Sequence, residues 1–174
     1  MKLRIQPTDR ETLLSDDVFI ISKTDTKGRI TYGNEVLIEV SCFQEHELLG
    51  KQHNIVRHPE MPRGIFHILW ELIQAGKEYN GFVINLRKDG GFYWVFTNVT
   101  PSYDASGRLI GYYSVRRKVK REALEIIRPI YKKMLEVEKQ AGAKQAITAS
   151  RAVLNDILKD KGTSYDEFVC TLQH

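Results

Sequence analysis

Residues 79–118 read YNGFVINLRKDGGFYWVFTNVTPSYDASGRLIGYYSVRRK, and this stretch decides the fold. Its apolar period is two. Runs at Tyr79–Lys88, Phe92–Tyr103 and Leu109–Lys118 are separated by Asp89-Gly90-Gly91 and by Asp104-Ala105-Ser106-Gly107. Such turn residues between alternating runs predict consecutive antiparallel strands, a meander. Both faces carry large side chains: Phe92, Trp94 and Phe96 on one, Tyr93, Val95 and Val99 on the other. A sheet that is apolar on both faces needs cover on both: one from the helical layer, the other from the appendages or from another protein.

Working upstream, residues 17–34 (DVFIISKTDTKGRITYGN) predict a hairpin. One strand spans Val18–Lys23, the turn is Asp25–Gly28, and the second strand spans Arg29–Tyr32. Asn34 follows as a cap for a short helix at Glu35–Val40. A second short helix at Glu45–Leu49 stops at Gly50, the usual left-handed terminator. Residues 51–62 (KQHNIVRHPEMP) form a polar loop. Pro62 stands in the first turn of a longer helix that runs to Ala75 and ends at Gly76. The order β, β, short helices, longer helix, β, β, β predicts an α+β fold. Its core is a five-stranded antiparallel sheet with the helices on one face, spanning residues 17–118. Residues 1–16 form an N-terminal arm.

Downstream, residues 119–174 predict a helical extension. Ala123, Ile127, Ile130, Met134, Val137 and Ala141 recur at steps of four and three, a coiled-coil-like seam. The seam fits a helical hairpin packing on itself or pairing with a second chain. Pro129 predicts a kink, or a helix restarting near Arg128. Gly142 and Gly162 punctuate two further helical stretches, Ala143–Lys159 and Ser164–Leu172. The sheet face carrying Trp94 and Phe96, together with the 119–141 seam, is the expected surface for a homodimer or a partner.

The composition excludes several classes. With 174 residues, 42% hydrophobic and 28% charged, the chain suits one folded domain with an appendage. Cys42 and Cys170 form no CxxC pattern, so neither a zinc site nor a disulfide framework is expected. No apolar run has the length of a signal peptide or a membrane span, which predicts a cytoplasmic chain without membrane insertion. The net charge of +4 comes from alternating acids and bases rather than a basic stripe. A nucleic-acid partner is not expected; a nucleotide ligand and a merely solvated surface both suit it. P-loop, GxGxxG, kinase and triad signatures are absent, so no catalytic residue is assigned and the chain reads as a non-enzyme.

Some residues nevertheless carry chemistry. Phe66 and Trp70 lie on the longer helix and serve either as ligand walls or as core. Asn85 stands in mid-strand, where asparagine is disfavoured, in phase with Val83. If that face is buried, its amide needs partners. His53, Asn54, Arg57 and His58 cluster within six residues before a helix, and a guanidinium there can grip a phosphate. Two histidines so close also admit haem, but Glu60 alone makes a poor further metal ligand. Asn34 is a cap that could also touch a ligand, and Tyr93 completes the candidate set.

Three segments carry a family resemblance: ITYGNEVLIEVSCF at 30–43, the stretch from Glu47 to Val95 around HNIVRHPEMP, and GYYSVRRK at 111–118. Together they resemble a PAS domain, in particular the flavin-binding PAS domains of bacterial aerotaxis and energy-taxis transducers. The resemblance implies FAD held non-covalently in the cleft between helices and sheet, and a redox or oxygen sensor. Its signal would pass by contact to a membrane-bound chemotaxis transducer. The cofactor-binding set it supports is Asn34, His53, Asn54, Arg57, His58, Phe66, Trp70, Asn85 and Tyr93. Alternatives are a haem-based gas sensor and a ligand-free dimerisation module. This chain departs from the pattern at Glu60, where an aspartate is usual, at Tyr79, where a tryptophan is usual, and at Cys42, often a glycine. The blue-light class carries a reactive cysteine in an NCRFLQ motif; HNIVRHPEMP holds none.

Overall fold

The computed structural model describes residues 5–174, so the first four residues of the arm lie outside the described residues. The predicted hairpin forms as β1 (Ile20–Thr24) and β2 (Ile30–Gly33). Its turn closes because Asp25 Oδ1 accepts from the amides of Lys27 and Arg29 at 2.8 and 2.9 Å. Helix α1 (Glu35–Ser41) starts where Asn34 Oδ1 accepts from the Leu37 amide. Helix α2 (Glu45–Leu48) starts with a capping box between Gln44 and Glu47. The stretch read as a loop contains a 3-10 turn at His53–Val56. Helix α3 (Arg63–Gln74) begins one residue later than predicted, with Pro62 at the cap.

Strands β3 (Tyr79–Leu86), β4 (Phe92–Tyr103) and β5 (Leu109–Arg117) complete one antiparallel sheet in the order β2-β1-β5-β4-β3. Pairing Asn85 with Tyr93 and Val83 with Val95 places these residues on the face toward α3. Ile84 opposite Trp94, and Phe82 opposite Phe96, fall on the other face. The arm joins the sheet through backbone bonds. Thr8 and Thr12 amides donate to the carbonyls of Gly90 and Phe92.

The second face is covered from within the chain. Helix α4 (Arg121–Lys161) buries Ala123, Leu124, Ile127, Ile130, Tyr131 and Met134. Tyr131 donates its hydroxyl to the Phe82 carbonyl at 2.6 Å and its ring lies 6.0 Å from Trp94. Trp94 is left 7% exposed. The expectation of a partner on the Trp94–Phe96 face is therefore corrected: the seam packs on its own sheet, where each large apolar side chain contributes about 1.5–3 kcal/mol.

Pro129 does not break α4. It points to solvent, so the backbone bond it cannot make is lost on the wet side. The break falls at Gly142, whose φ of 72° and ψ of 171° suit glycine alone. Beyond it, residues 143–161 turn back onto α3. Ser150, fully buried, sits against Gly64, and Arg151 pairs with Glu71 at 2.5 Å. Helix α5 (Tyr165–Gln173) then packs on the edge strand β3. Tyr165 and Tyr79 share a hydroxyl bond of 3.0 Å with stacked rings. Tyr79, where the resemblance has a tryptophan, is thus turned to the extension. Cys42 adopts a φ of 60° at the end of α1, the conformation that a glycine would take there without strain.

Candidate functional site

A cavity of about 430 Å³ lies between α3 and the sheet. That is within the range of small-molecule and cofactor pockets. Helical periodicity aims Arg63, Phe66, His67, Trp70 and Ile73 of α3 into it. Strand alternation supplies the floor: Val83 and Asn85 from β3, Thr97 and Val99 from β4, Tyr112, Ser114 and Arg116 from β5. These floor residues are all buried, whereas Gln52, Asn54, Arg63, His67 and Ile147 are exposed and form the rim. Gly28 permits the wall. A Cβ at this position would come within 2.9 Å of Trp70, whose ring meets Tyr112 edge-on at 5.7 Å.

The cavity is basic. Arg57, Arg63, Arg116, His53 and His67 line it, and no aspartate or glutamate does. Arg116 Nη2 donates to Ser22 Oγ at 2.9 Å and approaches His53 Nε2 at 2.7 Å. Burial, helped by the Arg116 charge, pushes the His53 imidazole down to about 3, so His53 is neutral and its Nε2 accepts. Burial also lowers Arg116 to about 10. Arg57 donates to the Met61 carbonyl at 2.9 Å and lies over the Phe66 ring at 4.5 Å. Burial lowers it too, while the Glu138 carboxylate of α4 opposes that shift. Several floor groups have no hydrogen-bond partner among the described residues: Asn85 Nδ2, Thr97 Oγ1, Ser114 Oγ and Arg116 Nη1. Buried polar atoms are nearly always bonded, so these four groups can serve as hydrogen-bond partners for a ligand in the cavity.

The candidate residues divide accordingly. His53, Asn54, Arg57, Phe66, Trp70 and Asn85 come together around the cavity. Asn34 does not: its Oδ1 accepts from Ile21 and Leu37 amides and its Nδ2 donates to the Phe19 carbonyl. His58 does not either; its Nδ1 accepts from the Glu60 amide and its ring packs 5.8 Å from Phe92. Tyr93 is fully buried on the Asn85 side of the sheet, outside the lining, and burial raises it to about 12. Arg116, Ser114, Thr97, Arg63 and His67 were missed. For Arg116 the signal was present, a cation in phase with Tyr112 and Ser114 on a strand whose inward face is buried.

The fold and this cleft define a class. The family model described as the PAS fold matches residues 8–119, and the chain belongs to that family. It is 38% identical over 125 residues to the aerotaxis receptor of Escherichia coli (strain K12). That match covers 72% of this chain and 24% of the receptor. It is 27% identical over 108 residues to the nitrogen fixation regulatory protein of Klebsiella pneumoniae, covering 62% of this chain and 22% of that protein. The chain thus spans about a quarter of the length of these relatives. Among solved structures, the dark form of the blue-light photoreceptor Aureochrome1 LOV has a TM-score of 0.55 at 21% identity. It covers 62% of this chain and 79% of that structure, and shows the shared fold.

Proposed function

We propose that this chain is a redox-sensing PAS domain that holds FAD non-covalently in the α3–sheet cavity. The observation that carries the reading is the set of buried, unpartnered polar groups on the floor: Asn85, Thr97, Ser114 and Arg116. They sit between the aromatic walls of Phe66 and Trp70. A flat apolar ring system with a polar edge fits both. The pyrimidine end of a flavin, with its carbonyls and ring nitrogens, presents acceptors to Asn85 and Arg116 and either role to the hydroxyls. The cations Arg57 and Arg63, which line the cavity, suit a pyrophosphate, which favours the dinucleotide. Similarity to an aerotaxis receptor supports the same reading.

A flavin held here would supply redox chemistry, its N5 changing from acceptor to donor when an external donor reduced it. The Asn85 amide can answer either state by rotation, since it carries both oxygen and NH₂. Two links carry such a change toward the extension. Ile147 of α4 stands at the cavity rim, and Glu138 of α4 sets its charge against Arg57 while accepting from the Gly64 amide of α3 at 3.1 Å. The signal then passes by contact to a partner, a chemotaxis transducer being the kind its relative suggests, and the chain works in the cytoplasm without catalysing a reaction. Haem fits less well. His53 Nε2 already faces Arg116 and Ser22, and His58 lies outside the lining. The test is chromatography of the chromophore released when the native protein is denatured. FAD is expected. Haem, or a protein that stays colourless when supplied with excess FAD, contradicts the reading.

A further inference from the structure

Arg116 is a buried cation without a counter-ion. It is 4% exposed, and its named polar partners, Ser22 and His53, are both neutral. Tyr93, the other titratable group facing it, is a phenol uncharged at neutral pH, and burial raises it further, to about 12. Among the described residues no carboxylate acts on it, and Nη1 has no acceptor. A guanidinium held this way destabilises the chain, because desolvation of its charge is offset only by neutral bonds. A methionine there would fill similar space without that penalty. Ser22 and His53 would still bond each other at 3.1 Å.

We propose that the ligand supplies the counter-ion of Arg116, so that the site binds the negatively charged form of its ring system more tightly than the neutral form. This rests on the flavin reading, in which the charge appears on reduction. Two electrons from an external donor and one proton at N5 convert the neutral oxidised ring to a monoanion. Its negative charge is spread over the pyrimidine end and pairs with the guanidinium. Arg57 and Arg63 meet a pyrophosphate whose charge is the same in both states, and so do not discriminate. Arg116 alone, on the floor, makes the binding free energy depend on redox state, and linkage then raises the potential of the bound flavin.

The experiment uses the full chain, as wild type, Arg116→Met and Arg116→Lys, with two readouts. The first is the melting temperature without ligand. Arg116→Met is expected to melt above wild type; an equal or lower value gives Arg116 a structural role and overturns the proposal. The second is the affinity for FAD, oxidised in air and reduced anaerobically with dithionite. Wild type should prefer the reduced form by about ten- to a hundredfold, the worth of one charge-assisted bond. Arg116→Met should lose that preference, and Arg116→Lys should keep part of it. Equal affinity of wild type for both forms overturns the proposal. If wild type takes up no flavin, the flavin reading fails by itself, and the melting comparison still decides whether Arg116 is a charge awaiting a ligand.

Discussion

His53 shows how the cavity constrains single residues. Its imidazole is held near 3 by burial and by Arg116, well under the ordinary histidine value. The unfolded chain binds a proton near pH 6.5 that the folded chain refuses until about pH 3, so the stability held above pH 6.5 is lost as pH falls through that window. His53→Gln should therefore flatten the acid limb of a urea-midpoint series between pH 7 and 4; an unchanged slope would place the imidazole in water. Arg57→Ala should weaken flavin retention about ten- to a hundredfold, and Arg29→Ala hardly at all, because only Arg57 lines the cavity. Equal occupancy in the two variants would remove Arg57 from the site. Asn85→Ser should fold and keep some FAD but shift the midpoint potential, since serine is too short to serve both states of N5. Asn85 was legible in the sequence because an amide in mid-strand breaks a local preference. Arg116 was passed over although its phase with Tyr112 and Ser114 marked it, because arginine near a strand end normally reaches solvent and the register with Thr97 is what shows that it cannot.

At the scale of elements, alternation and turn chemistry gave the strands to within a residue or two, because side chains on a pleated sheet have only two sides to choose. The extension was harder to read. Proline is the stronger breaker in isolation, yet α4 continues through Pro129 on its wet face, whereas Gly142 takes a conformation closed to other residues. The seam of Ala123 to Met134 was recognised as apolar, but a period of three and four cannot say whether its partner is a second chain or the chain's own sheet. Gly142→Ala should test the turn. A Cβ would meet nothing within 4 Å, so the penalty is purely conformational, about 1–3 kcal/mol. Residues 143–161 should then be cut sooner in limited proteolysis, with the sheet intact. Unchanged cleavage would mean that contacts such as Ser150 on Gly64 and Arg151 with Glu71 hold the arm regardless of its turn.

The whole molecule is a sheet between two helical layers, with the cavity under one and the root of the extension under the other. Gly142 is what lets a single helix serve both: its first part seals the Trp94 face and its second returns to α3 and the cavity rim. The same wrapping sets Ile147 of the extension at the cavity rim. Reduction of the bound flavin should alter the protease sensitivity of residues 143–161 more than that of the β4–β5 turn at Asp104–Gly107; identical patterns in both redox states would remove the extension from the signal path. Everything rests on the cavity taking a flavin dinucleotide. The most direct measurement is an equilibrium titration of the ligand-free chain with FAD, FMN, riboflavin and haem in parallel, followed by fluorescence and absorbance. One FAD per chain is expected, bound more tightly than FMN and riboflavin because Arg57 and Arg63 meet its pyrophosphate. Uptake of haem alone, or of none of the four, would contradict it.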